Sequence, residues 1–361
     1  MKRSITRSKL LESSAMTITL LVICVALAIS RSHFLTASNI ANVLEQVSMI
    51  GIIAMGMTML LVSANFDLSI GGIVGLTGVL GAKVANSSDI GAGIAAVLVI
   101  SIGLGVLNGL IVTRLRVNSL IATLGTGLAY TGIAFLISNN APVSLNSQQL
   151  TNIVNTRLLG IGVPVYVFAA VVVLSAWLLH ITVFGRQLYA VGANAEAARY
   201  AGVRVTAIRF LPFAITGAYC GIASLILLGL LSSGVPDAAA SWPLQVVAAV
   251  VVGGVSIAGG QGTILMGVLG VLLIGVINNG LNLLNLPAGW QDITTGGVLV
   301  AAVAADAALR LRARRLAARR ASPGETSATG PRDALAQVHD ASASSNGSNQ
   351  AAQAANAKET A

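Results

Sequence analysis

Residues 185–205 read GRQLYAVGANAEAARYAGVRV, a small charged segment set between two long apolar runs. Only 9% of the chain is charged, yet Arg186, Glu196, Arg199 and Arg204 fall here, with Arg209 just beyond. The segment predicts a short helix. Asn194 has the side chain to cap the free N–H groups of a first turn. Glu196 sits in that turn, where the positive end of the helix dipole favours a carboxylate. Ala195, Ala197 and Ala198 are strong helix formers. Gly202 can take the left-handed conformation that ends a helix. Such a helix is either a docking surface for a soluble partner or an ordinary capped turn between two spans.

Working outward, the flanking runs set the fold class. The 361 residues are 55% hydrophobic. In hydrocarbon every backbone polar group needs an internal partner, so repeated apolar runs of about 20 residues predict membrane helices. The 39 glycines suit close helix packing, and with aromatics at 4% the contacts fall to small and aliphatic side chains. The expected fold is an all-α integral membrane protein, a polytopic bundle of about ten helices.

Apolar runs cover 15–29, 40–62, 70–84, 90–113, 120–137, 163–181, 207–231, 244–257, 264–284 and 293–309. The run 244–257 is short for a full crossing. Residues 1–14 are basic, the 113–120 link carries Arg114 and Arg116, and arginines crowd residues 310–320. An even number of spans puts both termini, that link and the 183–206 loop on the cytoplasmic side, as the positive-inside rule requires. Three parts follow: a cytoplasmic segment 1–14, a transmembrane domain 15–309, and a tail 310–361 that is basic and then disordered. Ala26-Leu27-Ala28 resembles a signal-peptide cleavage site, but a retained first span is the reading taken. The net charge of +9 lies in loops and ends, so no nucleic-acid partner is expected.

The lysines are Lys2, Lys9, Lys83 and Lys358, and none follows a glycine-rich loop of the P-loop pattern. The chain therefore does not hydrolyse ATP itself. Cys24, Cys220, His33, His180 and His339 are scattered. Neither a metal site nor a cofactor is expected. Asp67, Asp292 and Asp306 lie near span ends, which is thin support for ion coupling. Asp67 can instead cap a helix beginning at Leu68. Deeper polar residues are uncharged: Asn108, Thr123, Thr126, Asn278, Asn279 and Asn282. Together with Asp67, the first five are the candidate translocation path. They suit a neutral hydroxylated solute, or they join helices to one another.

These residues also carry a resemblance. Phe66-Asp67-Leu68-Ser69-Ile70-Gly71, Asn108-Gly109-Leu110-Ile111-Val112-Thr113, Leu120–Thr126, the 182–199 loop, Val252–Ser256 with Gly259–Thr263, and Asn278–Asn282 occur in order. The chain resembles the membrane permease subunit of ribose-type sugar ABC importers, in the branched-chain amino acid/ribose permease superfamily. The likeness implies a passive pore formed with a second permease copy or paralogue. It implies a cytoplasmic ATPase docked on Gly192, Asn194, Glu196, Ala197, Ala198, Arg199 and Gly202, and a periplasmic substrate-binding protein. The setting it implies is the bacterial inner membrane, and the cargo a pentose or hexose. Pro243 and Gln245 stand where the family often has acids, and Asn65 where glycine is usual. The same frame would serve a furanose signal molecule or a nucleoside. An ion-coupled secondary transporter is the alternative from another class.

Overall fold

The structure, a computed structural model, describes residues 2–287 and 289–321. The expected disordered tail from residue 322 onward lies outside the described residues. Thirteen helices are described: α1 Lys2–Ser30, α2 Ala37–Val62, α3 Ile70–Ser87, α4 Ile90–Thr113, α5 Ser119–Ser138, α6 Gln148–Asn155, α7 Val163–His180, α8 Val183–Ala193, α9 Ala195–Tyr200, α10 Val205–Leu231, α11 Trp242–Val252, α12 Ile264–Leu283 and α13 Gly289–Ala321. The chain divides into two compact units, Met1–Asp306 and Ala307–Ala361. In the second, helix runs to Ala321.

Among the described residues seven helices, α2, α3, α4, α5, α7, α10 and α12, are long and apolar enough to cross a membrane. Two shorter apolar stretches, Met16–Ser30 and Trp242–Val252, stand beside them. The chain is therefore an all-α membrane protein. Polar side chains close the helix starts: Thr36 accepts from the Asn39 amide, Asp89 from Ala92, Asn118 from Leu120 and Thr263 from Met266. Each satisfies an N–H that the first turn leaves free.

The core is built on α2, whose residues Gly51 to Val62 are all buried. Helices α10, α12, α7 and α11 pack around it, and α3 packs on α10, α4 and α5. Helices α4, α5 and α7 turn most of their apolar surface outward, as lipid-facing helices do. Packing is by small residues at four-residue spacing. A methyl group on Gly105 of α4 would come within 2.5 Å of the Phe213 carbonyl oxygen in α10. One on Gly217 of α10 would meet the Ser101 carbonyl oxygen of α4 at the same distance. The two backbones touch because no side chain separates them.

Two features depart from the sequence reading. Helix α3 begins at Ile70 with Ser69 as its N-cap, not at Leu68. Helix α11 stops at Val252, because Gly253 and Gly254 leave the helix where the apolar run continues to 257. Its 11 residues make about 16 Å of helix, half the hydrocarbon thickness. Between α5 and α7 lies α6, capped by Ser147 and held by the buried Leu150 and Val154. Two short antiparallel ladders, Val143–Ser144 with Ser233–Gly234 and Arg157–Leu158 with Ile161–Gly162, complete that end.

Candidate functional site

Between α2 and α3 the chain leaves the helix while still buried: Asn65, Asp67 and Ser69 are all enclosed. Non-helical backbone at membrane depth survives only where protein satisfies it. Helix α5 does so. The Phe66 amide donates to Ser119 Oγ at 3.2 Å and the Leu68 amide to Thr123 Oγ1 at 2.9 Å. Asp67 Oδ1 accepts the Ser69 amide at 2.9 Å and the Ser69 hydroxyl at 2.6 Å. Asn108 Nδ2 donates to Ser69 Oγ at 2.6 Å, and the Tyr130 hydroxyl donates to Asn108 Oδ1 at 3.0 Å. One chain of hydrogen bonds thus runs from α5 through α4 to a buried carboxylate. Asp67 Oδ2 has no partner in the described structure.

The candidate path residues therefore separate. Asp67, Asn108 and Thr123 meet in this knot. Thr126 bonds back to the Thr123 carbonyl within α5. Asn279 exchanges two hydrogen bonds with Asn39 of α2, at 3.0 and 2.9 Å. Asn278 is apart from all of these, facing a cavity between α2, α11 and α12.

The second constellation is the loop carrying α8 and α9. Asn194 caps α9, its Oδ1 accepting the Glu196 and Ala197 amides at 3.0 Å each. Gly202 takes φ +82° with open space around it. Glu196, Ala197, Arg199 and Tyr200 are exposed. Ala198 is buried with Val191 and Val205, so it seats the helix rather than facing outward. Tyr200 is 84% exposed, an unusual state for an aromatic side chain.

The loop is braced on the bundle by glycine contacts. A methyl group on Gly192 would lie 1.8 Å from the Val62 carbonyl oxygen at the end of α2 and 2.6 Å from the Gly260 amide nitrogen. Gly260 itself donates to that Val62 carbonyl at 2.8 Å. The Tyr189 hydroxyl donates to the Gly262 carbonyl at 2.6 Å, and burial pushes its pKa up to about 12, keeping the donor protonated at physiological pH. The end of α2, the turn between α11 and α12, and α8 thus meet at one point. The link carrying Arg114 and Arg116 leads into Ser119, whose Oγ accepts the Phe66 amide just past the end of α2.

Long apolar helices around a buried polar break, with an exposed capped helix braced against the ends of two others, define a multi-pass membrane protein of the permease class. The chain belongs to the family described as branched-chain amino acid transport system/permease component, matched over residues 39–303. It is 34% identical over 312 residues to the ribose import permease protein of Escherichia coli strain K12, covering 84% of this chain and 96% of the relative. The L-arabinose transport system permease protein of the same strain is 34% identical over 306 residues, 84% of this chain and 93% of the relative. The ribose import permease protein of Bacillus subtilis strain 168 is 36% identical over 295 residues, 80% and 90% of the two chains. No solved structure matches.

Proposed function

We propose that this chain is the membrane-spanning permease subunit of an ATP-driven ABC importer, carrying a ribose-like pentose or hexose from periplasm to cytoplasm across the bacterial inner membrane. The seven long helices, with α1, the half-length α11 and α13, make about ten spans and leave both termini cytoplasmic. A separate ATPase subunit docks on the 183–206 loop, a periplasmic binding protein delivers the sugar, and a second permease copy or paralogue completes the pore. Two of the relatives are import permeases named for ribose and one for L-arabinose.

The observation that carries the reading is the exposed face of α9, Glu196, Ala197, Arg199 and Tyr200, on a loop wedged against the end of α2. A partner pulling on that face acts directly on the bundle core. Rigid-body rocking of such elements is an ordinary route to alternating access. The test is uptake of labelled ribose or L-arabinose into proteoliposomes holding this chain, its ATPase and its binding protein. Uptake that needs ATP and all three components supports the reading. Concentrative uptake by this chain alone overturns it.

A further inference from the structure

Resting on that importer reading, we propose that the cavity between α2, α11, α12 and the start of α13 is a binding site for an uncharged monosaccharide. The cavity has a volume of about 240 Å³. That is just below the range of about 300–1,000 Å³ usual for small-molecule sites, so its occupant is small. Five carboxamides reach it, Gln46, Gln245, Asn278, Asn282 and Gln291, beside the indole of Trp242. Among the described residues no ionisable side chain lines it.

The chemistry of that lining selects the ligand class. A carboxamide offers both N–H donors and a carbonyl acceptor, which matches a hydroxyl group that also gives and accepts. A charged ligand would lose part of its hydration in this partly enclosed cavity and meet no counter-charge, an arrangement that disfavours binding. Trp242, Met49, Ile50, Val271 and Ile274 supply apolar surface for the C–H face of a sugar ring.

One atom points to a missing donor. Asn278 Oδ1 is buried and has no hydrogen-bond partner in the described structure. Buried acceptors are nearly always paired, so this one is short of a donor, which a hydroxyl in the adjoining cavity supplies once the Asn278 side chain turns toward it. Its neighbour Asn279 is already paired with Asn39, and Asn282 Oδ1 already accepts from Gln291 Nε2 at 2.7 Å. The cavity reaches the surface at the exposed Gln46 and Asn282. It adjoins the N-terminal half of α2, the end remote from the 183–206 loop, and so faces the side from which a binding protein would deliver its cargo.

The test uses the full chain in lipid nanodiscs. With Trp177→Phe and Trp290→Phe, Trp242 is the remaining tryptophan. Its emission is followed during titration with D-ribose, L-arabinose and ribose 5-phosphate. A saturable response to the neutral sugars and none to the phosphate is expected. Asn278→Leu should weaken the neutral-sugar response about tenfold or more, since a site built around hydroxyl pairing discriminates at that scale or beyond. Gln245→Leu, on a different helix, should weaken it too and guards against a folding defect in one variant. No response, with sugar uptake intact in the assembled importer, means the cavity holds water and overturns the inference while leaving the importer reading. An equal response to the phosphate also overturns it. A Trp242 response in a chain whose assembled importer carries no sugar retains the site and overturns the importer reading.

Discussion

Tyr189 and Gly262 are joined by a 2.6 Å hydrogen bond that spans 73 residues of sequence and ties α8 to the turn between α11 and α12. Its donor is a half-buried phenol and its acceptor a backbone carbonyl. Tyr189→Phe keeps the ring and leaves that carbonyl short of a partner, at a cost of about 1–3 kcal/mol. The expected outcome is a chain that still assembles with its ATPase but moves less sugar per ATP hydrolysed. Parallel assays of uptake and phosphate release measure that ratio, and a ratio equal to the parent's counts against the role.

Gly192 and Gly202 lie ten residues apart and should respond very differently to an added side chain. A methyl group at Gly192 collides with backbone atoms of Val62 and Gly260, which have no side-chain freedom with which to yield. A methyl group at Gly202 meets open space, and the cost is that of a left-handed backbone alone, about 1–2 kcal/mol. Gly192→Ala should abolish ATPase docking and lower the melting temperature. Gly202→Asn should preserve both, since asparagine visits the left-handed region readily. Copurification and thermal unfolding of the two variants check this.

Ala197 and Ala198 are adjacent yet differently placed. Ala197→Glu adds a charge to the exposed face of α9 and should remove ATPase binding while the permease inserts and folds normally. Ala198→Glu buries an unpaired carboxylate among Val191 and Val205 and should destabilise the loop itself. Pull-down with the ATPase, alongside limited proteolysis of the loop, separates the outcomes. Loss of binding in neither variant would sink the docking assignment.

The knot around Asp67 allows a graded test. Asp67→Asn keeps an oxygen able to accept from Ser69 and should cost little. Asp67→Ala leaves the Ser69 amide and the Ser69 hydroxyl proton without an acceptor, while Asn108 still donates to Ser69 Oγ. Its expected loss is about 1–3 kcal/mol in thermal or denaturant unfolding. Tyr130→Phe removes a single bond from the far end of the chain and should fall between them.

Much of this was legible in the residues. The long apolar runs 40–62, 90–113, 163–181 and 264–284 bound their helices within a few residues, because length and hydropathy fix a span nearly alone. The cap at Asn194 and the left-handed Gly202 follow from local chemistry and appear as expected. Local chemistry could not separate Thr123, which serves the amide of Leu68, from Asn278, which faces a cavity. Both are single polar residues in apolar helices, and their difference lies wholly in which distant helix stands opposite. Gln46, Gln245 and Gln291 escaped selection as site residues for the same reason: they come from three helices far apart in sequence. Only Asn278 and Asn282, one turn apart on α12, carried a pattern visible in one dimension.

The glycine wedge has a mechanical corollary. Val62, where the wedge bears, and Gln46, at the cavity, belong to one uninterrupted helix, α2. Sixteen intervening steps at about 1.5 Å each separate them by about 24 Å along a stiff rod. With no compliant side chain at the fulcrum, a shove on the loop is not absorbed there. It is delivered at the far end as a swing of the rod, amplified by the length of the arm.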